Sequence, residues 1–175
     1  MNYLNTDLPL RSFRRTLKGK IYVDKSGLIE PLNELVGTEA CYICITRPRR
    51  FGKTINANML GAYYTKGYDS RDIFRDLHIS HSKSYEEHLN RHNVIHIDFS
   101  EMPDTCENYK DYISYIRESL YHDLFILCPS LAGTGYKSLS RLLSDSGESF
   151  IFILDEWDCI FYQDFMGKKE RDDYL

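Results

Sequence analysis

The 175-residue chain has no apolar run that approaches the length of a membrane span, which excludes a membrane-spanning helix. Residues 1–10 are polar and carry no secretory leader pattern. The five cysteines form no dense framework, and their odd number excludes a fully paired disulfide scaffold. A cytoplasmic protein in a reducing compartment is expected. The formal net charge is only −4, which argues against a generic nucleic-acid binder. Arg11, Arg14, Arg15, Lys18 and Lys20 make one basic stretch, which a solvated face explains as well as a nucleic-acid surface does. There is no internal repeat and no separating linker. One domain over residues 1–175 is expected, with a lead-in at 1–36, a core at 37–165 and a charged tail at 166–175.

Two short metal-like spacings are also set aside. Cys41-x-x-Cys44 lies on a run that reads as a strand, where residues three apart face opposite sides and cannot readily share an ion. His78-x-x-His81 has no cysteine pair nearby and reads as a surface loop.

What the chain does have is concentrated in residues 41–54, Cys-Tyr-Ile-Cys-Ile-Thr-Arg-Pro-Arg-Arg-Phe-Gly-Lys-Thr. Residues 41–46 are β-branched, aromatic or thiol side chains, as in a buried strand. The run breaks at Arg47-Pro48, because proline cannot donate to a sheet ladder and disfavours helix at the preceding residue. Gly52-Lys53-Thr54 follows, and a helix-permissive segment starts at once. Strand, tight loop, Gly-Lys-Thr and helix is the layout of a phosphate-binding P-loop, although Arg47 stands where the full pattern has its first glycine. Backbone N–H groups around Arg50, Phe51, Gly52, Lys53 and Thr54 would surround a β-phosphate at the positive end of a helix. Lys53 would reach the β- and γ-phosphates, and the Thr54 hydroxyl would ligate Mg²⁺.

About a hundred residues on, Phe-Ile-Phe-Ile-Leu at 150–154 is a continuous apolar run ending in Asp155 and Glu156. Unalternating apolar residues suit a parallel strand buried on both faces. Open α/β sheets bind ligands at the C-terminal ends of their strands. There Asp155 would hold the Mg²⁺ shell and Glu156 would polarise an attacking water.

Between these motifs, residues 20–26 read as an extended piece and Ser26 as the start of a helix bearing Leu28, Ile29, Leu32 and Leu35. A helix is expected from Lys53 to about Tyr64, with Ile55, Met59, Leu60 and Tyr63 on one stripe. Short helical pieces are expected at 69–79 and 84–90, and a strand at 93–100. His96 reads as a partly buried structural residue and Asp98 as a weak site candidate. Residues 107–127 carry Tyr109, Ile113, Ile116, Leu120 and Leu124 at helical spacing. A further helix is expected at 136–143 and a helix end at 168–173. Strands alternating with helices predict an α/β fold, a three-layer P-loop arrangement with a mostly parallel sheet.

With these blocks together, the sequence resembles the bacterial AAA-ATPase-like family, whose members often carry a PD-(D/E)XK nuclease-like domain after the ATPase domain. The resemblance rests on residues 22–29, 46–54, 73–79, 94–100 and 153–158, and its most specific part is Arg47 to Thr54. In that family an arginine in place of the first P-loop glycine is usual. The resemblance implies ATP as the nucleotide, with Mg²⁺, and the roles given above for Lys53, Thr54, Asp155 and Glu156. It implies a nucleotide-contacting set of Arg47, Pro48, Arg49, Arg50, Phe51, Gly52, Lys53 and Thr54, and a position near the adenine for Tyr22 and Asp24. Trp157 stands where the family usually has tyrosine.

ATPases of this type place a further strand, later in sequence, between the P-loop strand and the acidic strand. None is found after residue 155, and the sequence reads as truncated. The expected function is an Mg-ATP-hydrolysing domain. The alternatives are a nucleotide-binding switch or scaffold with little turnover, and a P-loop small-molecule kinase. ATP is the expected ligand, a protein partner or a second copy a further one, and nucleic acid only through the absent nuclease-like domain.

Overall fold

A computed structural model describes residues 2–46, 48, 50–133 and 135–174. Arg47 and Arg49 of the expected phosphate loop therefore lie outside the described residues. The chain divides into two compact units, one of residues Asn5–Val94 and the other of Met1–Leu4 with Ile95–Leu175.

The first unit is helical. Its opening helix, α1 (Leu8–Leu17), was not anticipated from the basic stretch that runs through it. Pro9 occupies the first turn, where a missing N–H is no loss, and Arg14 and Arg15 occupy the last, where cations favour the dipole. The helix buries Pro9 and Phe13. Arg11 pairs with Asp7 at 3.0 Å, and Arg14 forks onto Asp72 at 2.8 and 3.0 Å, both in exposed positions. These arginines belong to a solvated face.

Residues 20–25 form no strand, and Ser26–Leu28 is a single 3-10 turn leading into α2 (Ile29–Asn33). The expected helix is thus shorter, ending where Asn33 turns its amide into the core.

Helix α3 (Lys53–Tyr64) has the expected limits. Its burial is wider than the expected stripe: Asn56 and the whole run from Met59 to Tyr64 are buried, and Ile55 is exposed. Helix α4 (Arg71–Phe74), a 3-10 turn at His78–His81 and α5 (Tyr85–His88) are short pieces of the two segments expected to be helical.

Aromatic rings fill this core. Phe13 stacks on Phe74 at 5.5 Å between centroids, and Tyr22 and Tyr63 set their edges against them at 5.8 and 5.4 Å. Two of the tyrosine hydroxyls are satisfied, as burial requires: Tyr63 donates to the Tyr85 carbonyl at 2.8 Å and Tyr64 to Asn33 Oδ1 at 2.8 Å, whereas the Tyr22 and Tyr85 hydroxyls are buried with no hydrogen-bond partner among the described residues.

One expectation fails here. Residues 41–46 were read as the strand leading into the phosphate loop, but they form neither strand nor bridge, and their side chains are exposed, Tyr42 by 94%. The composition favours a strand only where a neighbour pairs the ladder and covers the apolar faces. Among the described residues this segment has no such neighbour.

The second unit holds most of β1 (Asn93–Asp98), α6 (Tyr109–Leu127), α7 (Leu139–Asp145), β2 (Phe150–Asp155) and α8 (Lys168–Tyr174). The strands form a two-stranded parallel sheet, so the fold is mixed α/β. Asn108 caps α6 by accepting from the Asp111 N–H at 3.1 Å, and Ser138 caps α7 by accepting from Arg141. Tyr112, Ile116, Leu120 and Leu124 of α6 are buried with Ile95, Ile97, Phe99, Leu142 and Ile160. The chain start is held by Asp123, whose buried Oδ2 accepts from the N–H groups of Tyr3 at 2.7 Å and Leu4 at 3.1 Å. On β2, Phe152 and Leu154 are about half exposed, so the strand is not covered on both faces as its composition suggested.

The His88 and His92 rings of the first unit are tilted by only 16°, with Nδ1 of one 3.0 Å from Nε2 of the other. One nitrogen of this pair must accept, so two protonated rings cannot keep the contact. Burial, and then the neighbouring His88, hold the His92 pKa below its ordinary value. A depressed histidine pKa means that the unfolded chain binds the proton more readily. Its stabilising contribution is full above about pH 6.5 and is lost as pH falls through the folded value. The melting temperature should therefore fall on acidification from about pH 7.5 to about 5.5, and His92→Gln should flatten that dependence. Identical pH slopes for wild type and variant in thermal melts would contradict this.

Candidate functional site

Two groups of expected site residues can be placed, one in each unit. In the first unit the Gly-Lys-Thr turn forms the N-terminus of α3. Gly52 is the N-cap residue, with φ 77° and ψ 33°, and no side chain caps the helix. The first helical bond runs from the Asn56 N–H to the Gly52 carbonyl at 3.0 Å. The amides of Lys53, Thr54 and Ile55 are thus left without an acceptor inside the helix. Uncapped amides at the positive end of a 12-residue helix are a ready acceptor site for an anion.

Arg50 is left-handed at φ 70°, and the Phe51 N–H returns to the Pro48 carbonyl at 3.3 Å. A non-glycine residue held at positive φ is uncommon and concentrates at ligand-binding loops. Lys53 is half-buried, Thr54 is exposed, and among the described residues the Lys53 ammonium has no ion-pair partner.

Lys25, which the sequence reading did not single out, donates to the Phe51 carbonyl at 2.9 Å. A Cβ on Gly52 would lie 3.3 Å from its Nζ. The signal was its place directly after Asp24. Tyr22 and Asp24, expected near an adenine, have structural partners. The Tyr22 ring packs edge-on against Phe13. Asp24 accepts from the Ser26 N–H at 2.8 Å through Oδ1 and from the His78 N–H at 2.7 Å through Oδ2. Burial works to raise the Asp24 pKa, but these donors outweigh it and hold the carboxyl below its ordinary value.

In the second unit the acidic pair ends β2. Asp155 is only 6% exposed. Its Oδ1 accepts from the Glu156 N–H at 3.0 Å, while Oδ2 is buried with no hydrogen-bond partner. A buried carboxylate oxygen left without a donor is costly, and a cation or its bound water would satisfy it. It is a single oxygen of the type a hard divalent cation takes, and among the described residues no group of three His, Cys, Asp or Glu side chains is placed to hold a metal ion. Glu156 is half-buried and left-handed at φ 49°. Its carbonyl accepts from the Cys159 N–H at 2.9 Å, which ties the strained residue into the turn after the strand. The Cys159 thiol donates to the Phe99 carbonyl. Burial, and then Asp98, Asp158 and Glu156, push its pKa up to about 11, so it is protonated and is no nucleophile at neutral pH. Asp98 Oδ1 accepts from the N–H and hydroxyl of Ser100, in a local turn.

A model of the family described as Predicted AAA-ATPase matches residues 9–174. The chain belongs to the AAA-ATPase-like family. That membership makes it a nucleotide-binding, ATPase-like domain. No curated protein and no solved structure matches it. In this family member, no helix among the described residues is long and apolar enough to cross a membrane.

The left-handed turn at Gly52 sets a stability expectation. Gly52→Ala should lose about 1–2 kcal/mol, the usual penalty for a Cβ at positive φ. Urea denaturation checks this, and an unchanged midpoint would contradict the observed turn.

Proposed function

We propose that the chain binds Mg-ATP through the turn that opens α3 and hydrolyses it with the acidic pair that closes β2. Family membership makes ATP the natural ligand. The observation that carries the reading is the left-handed Gly52 turn, with uncapped amides and, beside them, a Lys53 ammonium that has no ion-pair partner among the described residues. In this reading the three-layer P-loop arrangement is the parent fold, and Arg47, Pro48, Arg49, Arg50, Phe51, Gly52, Lys53 and Thr54 cradle the phosphates.

The chemistry follows from the side chains. The Lys53 ammonium offsets charge on the β- and γ-phosphates. The Thr54 hydroxyl and the Asp155 carboxylate are the groups that would hold Mg²⁺, which when bound neutralises charge developing on the phosphate oxygens. Glu156 orients the attacking water and accepts its proton. Tyr22 and Asp24 support the nucleotide from the lead-in segment, Asp24 through the backbone it fastens. A protein partner or a second copy is a further expected ligand, and any nucleic-acid role belongs to a separate nuclease-like domain of the kind the family carries.

A second reading is ATP binding with little turnover, as in a switch or scaffold. The absence of strand structure at residues 41–46 favours it, because the leading side of the loop is then not fixed in a sheet.

Lys53→Ala should weaken Mg-ATP binding by at least tenfold, the loss of about 1.4 kcal/mol or more expected for a charge-assisted contact. Isothermal titration checks it, and equal affinities would sink the P-loop reading. Glu156→Gln should keep ATP affinity and lose phosphate release, because the base goes and the shape stays. Asp155→Asn should instead weaken the dependence on Mg²⁺ concentration. Unchanged turnover in Glu156→Gln would assign the water to another residue.

A further inference from the structure

Beside the phosphate-facing turn, the first unit contains a cleft of about 390 Å³ lined by Lys25, Leu28, Ile45, Phe51 and Asn56. Its size falls within the range of small-ligand sites, about 300–1,000 Å³. Leu28, Ile45 and Phe51 supply apolar walls. Lys25 places a positive charge next to Gly52, where its Nζ is held on the Phe51 carbonyl. Asn56 is the exception to this apolar lining. It sits one turn into α3, it is only 9% exposed, and its Oδ1 is buried with no hydrogen-bond partner. Leaving an amide oxygen buried and unpaired costs about 1–3 kcal/mol. A residue with no structural partner at the edge of a cleft is suited to a donor that arrives with a ligand.

We infer that this cleft is a purine subsite in which the Asn56 carboxamide oxygen accepts from the exocyclic amino group of adenine, while Leu28, Ile45 and Phe51 enclose the ring. The assignment rests on the ATP reading above and adds to it the residue that selects the base. A flat, largely apolar ring fits the walls, its amino group supplies the missing donor, and the triphosphate it carries explains a cation beside Gly52. Asn56 is a specificity residue here and takes no part in the hydrolytic step.

The test compares ATP with inosine triphosphate, which carries an oxygen in place of the amino group, by titration calorimetry in the presence of Mg²⁺. Wild type should bind ATP about tenfold more tightly, the worth of one good hydrogen bond. Asn56→Leu should lower ATP affinity to the level of inosine triphosphate and leave the latter unchanged. Purine riboside triphosphate, which lacks any group at that position, should bind wild type as weakly as inosine triphosphate, and this arm needs no variant to fold. Equal binding of all three nucleotides to wild type, or an ATP preference that survives in Asn56→Leu, would overturn the subsite while leaving Mg-ATP binding at the turn intact. If none of the three binds wild type, the ATP reading itself fails, and the subsite with it.

Discussion

The polar clasp at the C-terminal end of α3 is the constraint on which the nucleotide-facing turn at its other end depends. Tyr63 and Tyr64 are buried side by side, and their hydroxyls are committed to the Tyr85 carbonyl and to Asn33. Burial pushes the Tyr63 pKa up to about 12. The Asn90 amide donates to the carbonyls of Ala62, Tyr63 and Thr65, and its oxygen accepts from Ser70. Losing the acceptor of the buried Tyr64 hydroxyl would strand a polar group at about 1–3 kcal/mol, while the Asn90 contacts back one another up. The helix is thus fixed in rotation and register, and the positive φ values at Arg50 and Gly52 are held against a rigid support. Strain of that kind persists only where its surroundings over-determine it.

A different constraint acts at the end of β2. Asp155 is buried and half-satisfied, and Glu156 next to it is left-handed without being glycine. In a folded core these would be two local penalties with nothing to offset them. The proposed roles, Asp155 toward a cation and Glu156 toward a water, would give both penalties a use.

Much of this was legible in the sequence, for reasons that differ by element. α3 and α6 could be read because their limits are set locally, by Gly52 at one start and by Asn108 at the other. β2 could be read because five consecutive apolar residues, Phe150 to Leu154, end in two carboxylates. Residues 41–46 were misread because a strand is made by its neighbours, and composition says nothing about whether a neighbour is there. α1 was passed over because its charge drew more attention than Pro9, Phe13 and the acidic residue before them. Asn56 escaped notice because one polar residue on an apolar stripe looks like noise until its oxygen is seen to lack a partner. Lys25 and Asp24 show the same limit, since their partners lie 26 and 54 residues away in sequence.

The central claim is that the uncapped start of α3 receives the phosphates of ATP. Amide chemical shifts of isotope-labelled protein, followed while Mg-ATP is added, test it most directly. The account predicts saturating shifts centred on the N–H groups of Gly52, Lys53, Thr54 and Ile55, with adenosine alone failing to reproduce them. Saturable shifts centred elsewhere, or none at these amides at millimolar Mg-ATP, would contradict it.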